Sequence, residues 1–324
     1  MPLLQSQLQF DACINKSLKA FTYCRSNTQT FGLLTMQKIS LMTIILLSAL
    51  GGSTSWGQKN DSVKVLTTHG IAFSQKKVDT PIPNQIHILR IDLSLGKAKP
   101  RVALGPDPDG DGPAEVALTD PRKLAADKSV LAFVNTNPWD SFPNAEGKKN
   151  RNWFAGQPVD IHGLAGTNGN LRSKMDPSSA SVWFDEEGLV HLGHGQQDKP
   201  KEATSGFQLI LSESKILVSE GGARHPRTAI GTDKEGKTLW LVVVDGRQPG
   251  YSEGMNLHEL SEVMKQLGCW RATNMDGGGS SVMGALNKNG EMQIINRPSD
   301  RFLGFVRIRP LPMVLTIVKS NSPK

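Results

Sequence analysis

The sequence predicts an α+β protein, with a mixed, largely antiparallel sheet packed against a few helices in a single domain. Three observations carry this reading. Short apolar runs with strand character outnumber helical stretches. Helical periodicity over more than two turns is clear at residues 257–267. Gly, Asp-Glu and Ser-Glu turns separate the apolar runs.

Taken in order, the chain begins with a leader predicted to span residues 1–57. Met36–Leu50 carries one positive charge and then about a dozen apolar residues, and Gly51, Gly52, Ser53, Ser55 and Gly57 follow. That layout is a secretory signal, read from Met36 with cleavage near Gly57–Gln58, and its apolar run is short for a membrane span. Residues 58–84 read as an irregular lead-in or edge strand, residues 85–315 as the domain, and 316–324 as a tail. Within the domain, Gln85–Leu93, Val130–Val134, Ser181–Phe184, Phe207–Leu211, Lys215–Val218 and Leu239–Val244 read as strands. Asp120 and Pro121 mark a helix start. The clearest helix is Leu257–Leu267, where Asn256 and Glu259 form a capping box, Leu257, Leu260, Val263, Met264 and Leu267 share one face, and Gly268 stops it.

Composition narrows the function. Net charge is +7. The leader carries four basic residues against Asp11, which leaves the mature chain at about +4 with its charge dispersed. Nucleic-acid binding calls for a concentrated basic face, so no nucleic-acid partner is expected. Cys13 and Cys24 leave with the leader, and Cys269 alone can form no internal disulfide. Export without disulfides points to a periplasmic or extracellular protein of a bacterial envelope, with no stable membrane insertion after cleavage.

The chemistry concentrates in four polar clusters at the ends of apolar runs: Asn135–Asp140, His225–Gly231, Asp245–Arg247 and Asn274–Ser280. The last is the most informative. An apolar run delivers Asn274 and Asp276 to three consecutive glycines, Gly277, Gly278 and Gly279, followed by Ser280. Each glycine costs roughly 0.5–1 kcal/mol relative to Ala in regular structure, so stability alone does not ask for them. A freed backbone can instead turn sharply and aim several N–H groups at one ligand. Arg227 and Arg247 offer forks suited to phosphate or carboxylate. Asp276 and Asp245 are acid/base or metal candidates, and Asn135 and Asn274 suit sugar hydroxyls or a carbonyl. The turn lacks P-loop and dinucleotide spacing. Asp107, Asp109 and Asp111 have the look of a calcium loop, but position twelve is Leu118 where an EF-hand needs Glu, so a solvated acidic turn is the better reading and Ca²⁺ the alternative. No other cofactor is expected.

Arg227-Thr-Ala-Ile-Gly, Val-Val-Asp245-Gly-Arg, Ser252-x-Gly with its helix, Asn274-x-Asp-Gly-Gly-Gly-Ser-Ser and Asn296-x-Pro-Ser-x-Arg301 together closely resemble the phosphodiester glycosidase family. The resemblance is strong from about Gly206 to Arg309 and weaker from about Gln85 to Phe184. It implies an exported hydrolase of the alpha-N-acetylglucosaminyl-phosphodiester type, cleaving the glycosidic C–O bond of a sugar-1-phosphodiester in a glycan or envelope polymer. Asp276 would act at the anomeric centre or as base for water, with Asp245 as second carboxylate. Arg227, supported by Arg247 or Arg301, and the amides of Gly277–Gly279 would hold the phosphate, beside Ser280, Asn135 and Asn274. Asn135 is followed by Thr-Asn-Pro-Trp where the family usually has Gly and aromatics, so the substrate-facing loop differs. Two rival readings stay open: a non-catalytic polysaccharide-binding envelope protein, and a metal-dependent phosphodiesterase breaking P–O.

Overall fold

Strands that bury both faces need partners on both, and this chain supplies them by sharing one core among three sheets. The computed structural model describes residues 64–195 and 200–320, so the leader lies outside the described residues. A seven-stranded sheet runs in the order Ile71–Val78, Asn84–Asp92, Thr238–Val244, Arg227–Thr232, Arg271–Asn274, Gln208–Ser212, Lys215–Ile216. A five-stranded sheet contains Met292–Ile294, Met283–Leu286, Val130–Asn135, Met313–Lys319 and Ala98–Leu104. A second five-stranded sheet is built around Ala180–Phe184. All pairings between these strands are antiparallel.

The Thr238–Val244 strand shows how the layers form. Leu239, Leu241 and Val243 face the core shared with the five-stranded sheets. Trp240, Val242 and Val244 face the opposite side, where Leu260, Val263 and Met264 of the helix Leu257–Gln266 cover them. The period of two sends alternate residues to the two cores, and each fully buried Leu or Val contributes roughly 1.5–3 kcal/mol. The helix is capped as its sequence requires: Glu259 N donates to Asn256 Oδ1 at 2.9 Å, and Asn256 N to Glu259 Oε2 at 3.0 Å. Gly268, at φ +89°, follows its end.

Two sequence expectations need correction. The fold is sheet-dominated rather than α+β, because the other described α-helices, Lys64–Thr68 and Pro121–Leu124, are only about one turn each. The ends of the domain are also regular. Ile71–Val78 pairs along its whole length with Asn84–Asp92 at the sheet edge, which is the edge strand that the reading of residues 58–84 allowed. Met313–Lys319 is almost wholly buried between Val130–Asn135 and Ala98–Leu104, so the expected boundary at 315/316 cuts a core strand.

Candidate active site

The site forms where the chain leaves one sheet for another. Arg271–Asn274 belongs to the seven-stranded sheet, and Met283–Leu286 pairs with Val130–Asn135 in the five-stranded sheet. Residues 275–282 must cross between them, and buried polar groups stitch the crossing. Asn135 is 1% exposed. Its Nδ2 donates to the Asp276 carbonyl at 2.7 Å, and its Oδ1 accepts from Thr228 Oγ1 at 2.8 Å and Val282 N at 3.1 Å. Asp276 N donates to the Thr136 carbonyl at 2.9 Å, and Met275 N to that of Thr228 at 2.9 Å. The sequence reading put Asn135 against substrate. Its side chain is instead enclosed and bound to three protein groups.

Asp276 keeps some exposure but sits in a crowded corner. Loss of solvation pushes its carboxyl up to about 6, against the opposing pull of a Ser280 hydrogen bond, the Arg309 charge and the Gly277 amide. Ser280 in turn accepts from Arg309 Nη1 at 3.3 Å. Arg309 grips Asp300 with two bonds, Nε to Oδ2 at 2.9 Å and Nη2 to Oδ1 at 3.1 Å. Sequence reasoning missed Arg309 and Asp300. The only signal was their position at the end of the resemblance, beside the Arg301 motif.

The three glycines serve different purposes from the expected amide cradle. The Gly278 amide donates to the Pro226 carbonyl at 2.9 Å. One of the three donors is therefore consumed by protein. Gly278 adopts φ +62°, with the Arg247 guanidinium above it, so that an added Cβ would lie 3.1 Å from Nη1. At Gly279 a Cβ would fall 2.0 Å from Asp300 Oδ1 and 2.1 Å from Arg309 Nη2, so the ion pair occupies that space.

The arginine-bearing segments converge on this turn. Arg227 starts the strand next to Asn274, and its Cα would lie 3.9 Å from a Cβ on Gly277. Its guanidinium donates to the carbonyls of Met255 at 2.9 Å and Ala223 at 3.0 Å. Arg247, exposed and at φ +57°, reaches His225 Nδ1 at 3.4 Å. Neither arginine forms an ion pair among the described residues. Burial, then the charge of Arg247, lowers the Arg227 pKa. Burial, then Arg227 and Arg247, lowers that of His225 and favours a neutral ring. A cleft of about 470 Å³ opens beside Arg227 and His225, lined also by Gln208 and Gly221–Ala223. Asn274 is 4% exposed, and its Oδ1 has no partner among the described residues.

Asp245 is placed differently from the second catalytic carboxylate that the sequence suggested. It is 1% exposed. Its Oδ2 accepts from His87 Nε2 at 3.0 Å and Tyr251 OH at 3.2 Å, and its Oδ1 from Asn296 Nδ2 and Arg297 N, both at 3.0 Å. With both oxygens engaged and its side chain buried, it anchors the Asn296–Arg297 loop. Arg301 donates to the Pro298 carbonyl at 2.6 Å and Gln248 Oε1 at 2.9 Å, and no hydrogen bond links it to the Asp276 turn among the described residues. Asp107 lies apart from this site: it accepts from Gly110 N at 2.9 Å and pairs with Arg172 at 2.8 Å, while Asp109 accepts from Ala114 N at 3.1 Å. These bonds close an acidic turn. No convergent set of three metal-ligating side chains occurs among the described residues.

Fold and site thus define an antiparallel β-sheet protein in which a raised carboxyl, the Asp300–Arg309 pair and two guanidiniums without ion pairs meet around one glycine turn. The chain belongs to the phosphodiester glycosidase family, whose profile matches residues 144–318, more than half its length. It is 26% identical over 171 residues to the SPbeta prophage-derived uncharacterized protein YomE of Bacillus subtilis (strain 168), covering 49% of this chain and 24% of that one. It is 32% identical over 104 residues to the N-acetylglucosamine-1-phosphodiester alpha-N-acetylglucosaminidase of Mus musculus, covering 32% of this chain and 18% of the relative. The chain therefore spans a quarter or less of the length of these relatives. Among solved structures, the zebrafish N-acetylglucosamine-1-phosphodiester alpha-N-acetylglucosaminidase catalytic domain, auto-inhibited by its pro-peptide, matches with a TM-score of 0.54 at 22% identity, covering 77% of this chain and 82% of that one. A hypothetical protein from Synechocystis matches with a TM-score of 0.51 at 14% identity, covering 77% and 62%. At these identities the structural likeness establishes the fold alone.

Proposed function

We propose that this protein hydrolyses a sugar-1-phosphodiester at the glycosidic C–O bond. The observation that carries the reading is the pairing of Arg227 and Arg247, two guanidiniums without ion pairs, with a carboxyl pushed up to about 6 one turn away. A phosphate bridging the arginines would satisfy charges that the protein leaves open. Water adds its oxygen to C1, its proton passes to the Asp276 carboxylate, and the electrons of the C1–O bond leave with the phosphate monoester. Such a leaving group is already stable as an anion, so charge neutralisation by Arg227 and Arg247 matters more than its protonation. A base with a pKa near 6 is ionised and still a useful proton acceptor at neutral pH. Family membership supports this class of substrate. The signal-like segment at Met36–Leu50 supports action outside the cytoplasm on a phosphorylated envelope glycan. The altered sequence after Asn135 argues that the sugar need not be N-acetylglucosamine.

Hydrolysis in ¹⁸O-labelled water tests the proposal. Label in the released sugar supports C–O cleavage. Label in the phosphate overturns it in favour of a phosphodiesterase.

A further inference from the structure

Among the exposed surfaces, one is apolar without any return to the fold. Arg301–Phe302 and Phe305–Val306 form a hairpin in which Phe302 pairs directly with Phe305, closed by Leu303-Gly304. Phe302, Leu303, Phe305 and Val306 are 64%, 82%, 78% and 48% exposed. Scattered apolar residues are ordinary on a surface, but four gathered on one exposed hairpin are not. The turn makes the point sharper. Leu303 has φ +49° and Gly304 φ +84°, the left-handed pair of a tight hairpin turn, where Asn or Gly is the usual first residue. A leucine there costs about 1–2 kcal/mol. Its side chain recovers little of that by packing.

Charge indicates what the tip meets. Arg301 and Arg307 flank the apolar residues, and both guanidiniums are held by carbonyls: Pro298 for Arg301, and Asn152 at 3.1 Å for Arg307. Neither forms an ion pair among the described residues, and the neighbouring carboxylate, Asp300, is taken by Arg309. Apolar tips with fixed cations at their base match a membrane interface, with acyl chains receiving the tip and anionic headgroups the arginines.

We infer that the Arg301–Val306 hairpin inserts its tip into an anionic lipid surface. The base of the hairpin adjoins Asp300, which connects through Arg309 and Ser280 to Asp276. Docking therefore holds the site at the membrane. Resting on the function proposed above, this makes the substrate a lipid-borne sugar phosphodiester.

Hydrogen exchange of the full-length protein, read at residues 300–307, separates the hairpin from any contribution of the leader. Phosphatidylcholine vesicles containing about one third phosphatidylglycerol should protect the hairpin, and pure phosphatidylcholine vesicles should do so at least about tenfold less. Leu303→Asn, which suits the left-handed turn, combined with Phe305→Ser should abolish the protection and leave hydrolysis of a soluble sugar-1-phosphodiester unchanged. Absence of vesicle-dependent protection overturns the inference. So does protection without vesicles: if it rises with protein concentration it shows a second copy on the hairpin, and if it is independent of concentration it shows the chain's own leader. Loss of soluble-substrate turnover in the variant also overturns it, making the hairpin part of the substrate pocket. A wild-type protein protected by vesicles but inactive on every sugar-1-phosphodiester would keep the docking and refute the proposed reaction.

Discussion

Replacing Asp276 by Asn should make the protein more stable while removing its activity, and the gain should depend on pH. Burial raises the carboxyl from 3.8 to about 6. A pKa difference of one between folded and unfolded chain corresponds to about 1.36 kcal/mol, so ionised Asp276 costs the fold up to about 3 kcal/mol at neutral pH. Partial exposure brings the expected figure to about 1–3 kcal/mol. Between about pH 4 and 6 the folded state holds a proton that the unfolded chain has released. This group's stabilising contribution is therefore fully present below about pH 4 and is lost as pH rises through 6. Asn carries no such titration, and its amide oxygen can still accept from Ser280. Arg309 keeps its bidentate partner Asp300, so the substitution strands no cation. Urea or thermal unfolding of both proteins from about pH 4 to 8 measures the effect. The Asp276→Asn variant should gain on wild type as pH rises to about 6 and then hold a plateau, worth roughly 3–9 °C in Tm. Turnover of a sugar-1-phosphodiester should fall at least about 100-fold. Parallel stability curves at all pH values would refute burial as the origin of the raised pKa. Full activity in the variant would remove Asp276 from the reaction.

Asp245→Asn should cost about 3 kcal/mol in urea unfolding at neutral pH, because its amide nitrogen would face donors from His87, Tyr251, Asn296 or Arg297; a stable but inactive variant would instead return Asp245 to direct chemistry. Gly279→Ala should destabilise by roughly 2–3 kcal/mol and lower activity, since the new methyl collides with the Asp300–Arg309 pair. Arg247→Met should leave the melting temperature nearly unchanged, because Arg247 is exposed. It should raise KM for the phosphodiester, and the Ki of inorganic phosphate, by about 10–100-fold.

What could be read from the residues alone was what local spacing controls. The capping box at Asn256 and Glu259 and the glycine stop at 268 are satisfied within a few positions of chain, and both appear as expected. The α+β expectation overweighted that helix, because one amphipathic segment is conspicuous while strands such as Met313–Lys319, buried on both faces, show no alternation. Convergence of Arg227 with Asp276 was also legible, since each sits at the end of a strand in one sheet. Asp245 shows where such reading fails. Its fate is decided by His87, 158 positions away, and by Asn296, 51 away, and an isolated Asp-Gly-Arg carries no mark of either. The glycine triplet is the sharper case. A left-handed turn, an amide aimed at a ligand and a gap left for another side chain all demand the same residue, so they leave the same trace in sequence. Here Gly278 answers to the first, while Gly279 answers to the third through Asp300 and Arg309, at positions 300 and 309. Three glycines therefore mark a crowded corner before they mark an anion site, and the anion site proposed above rests on Arg227 and Arg247.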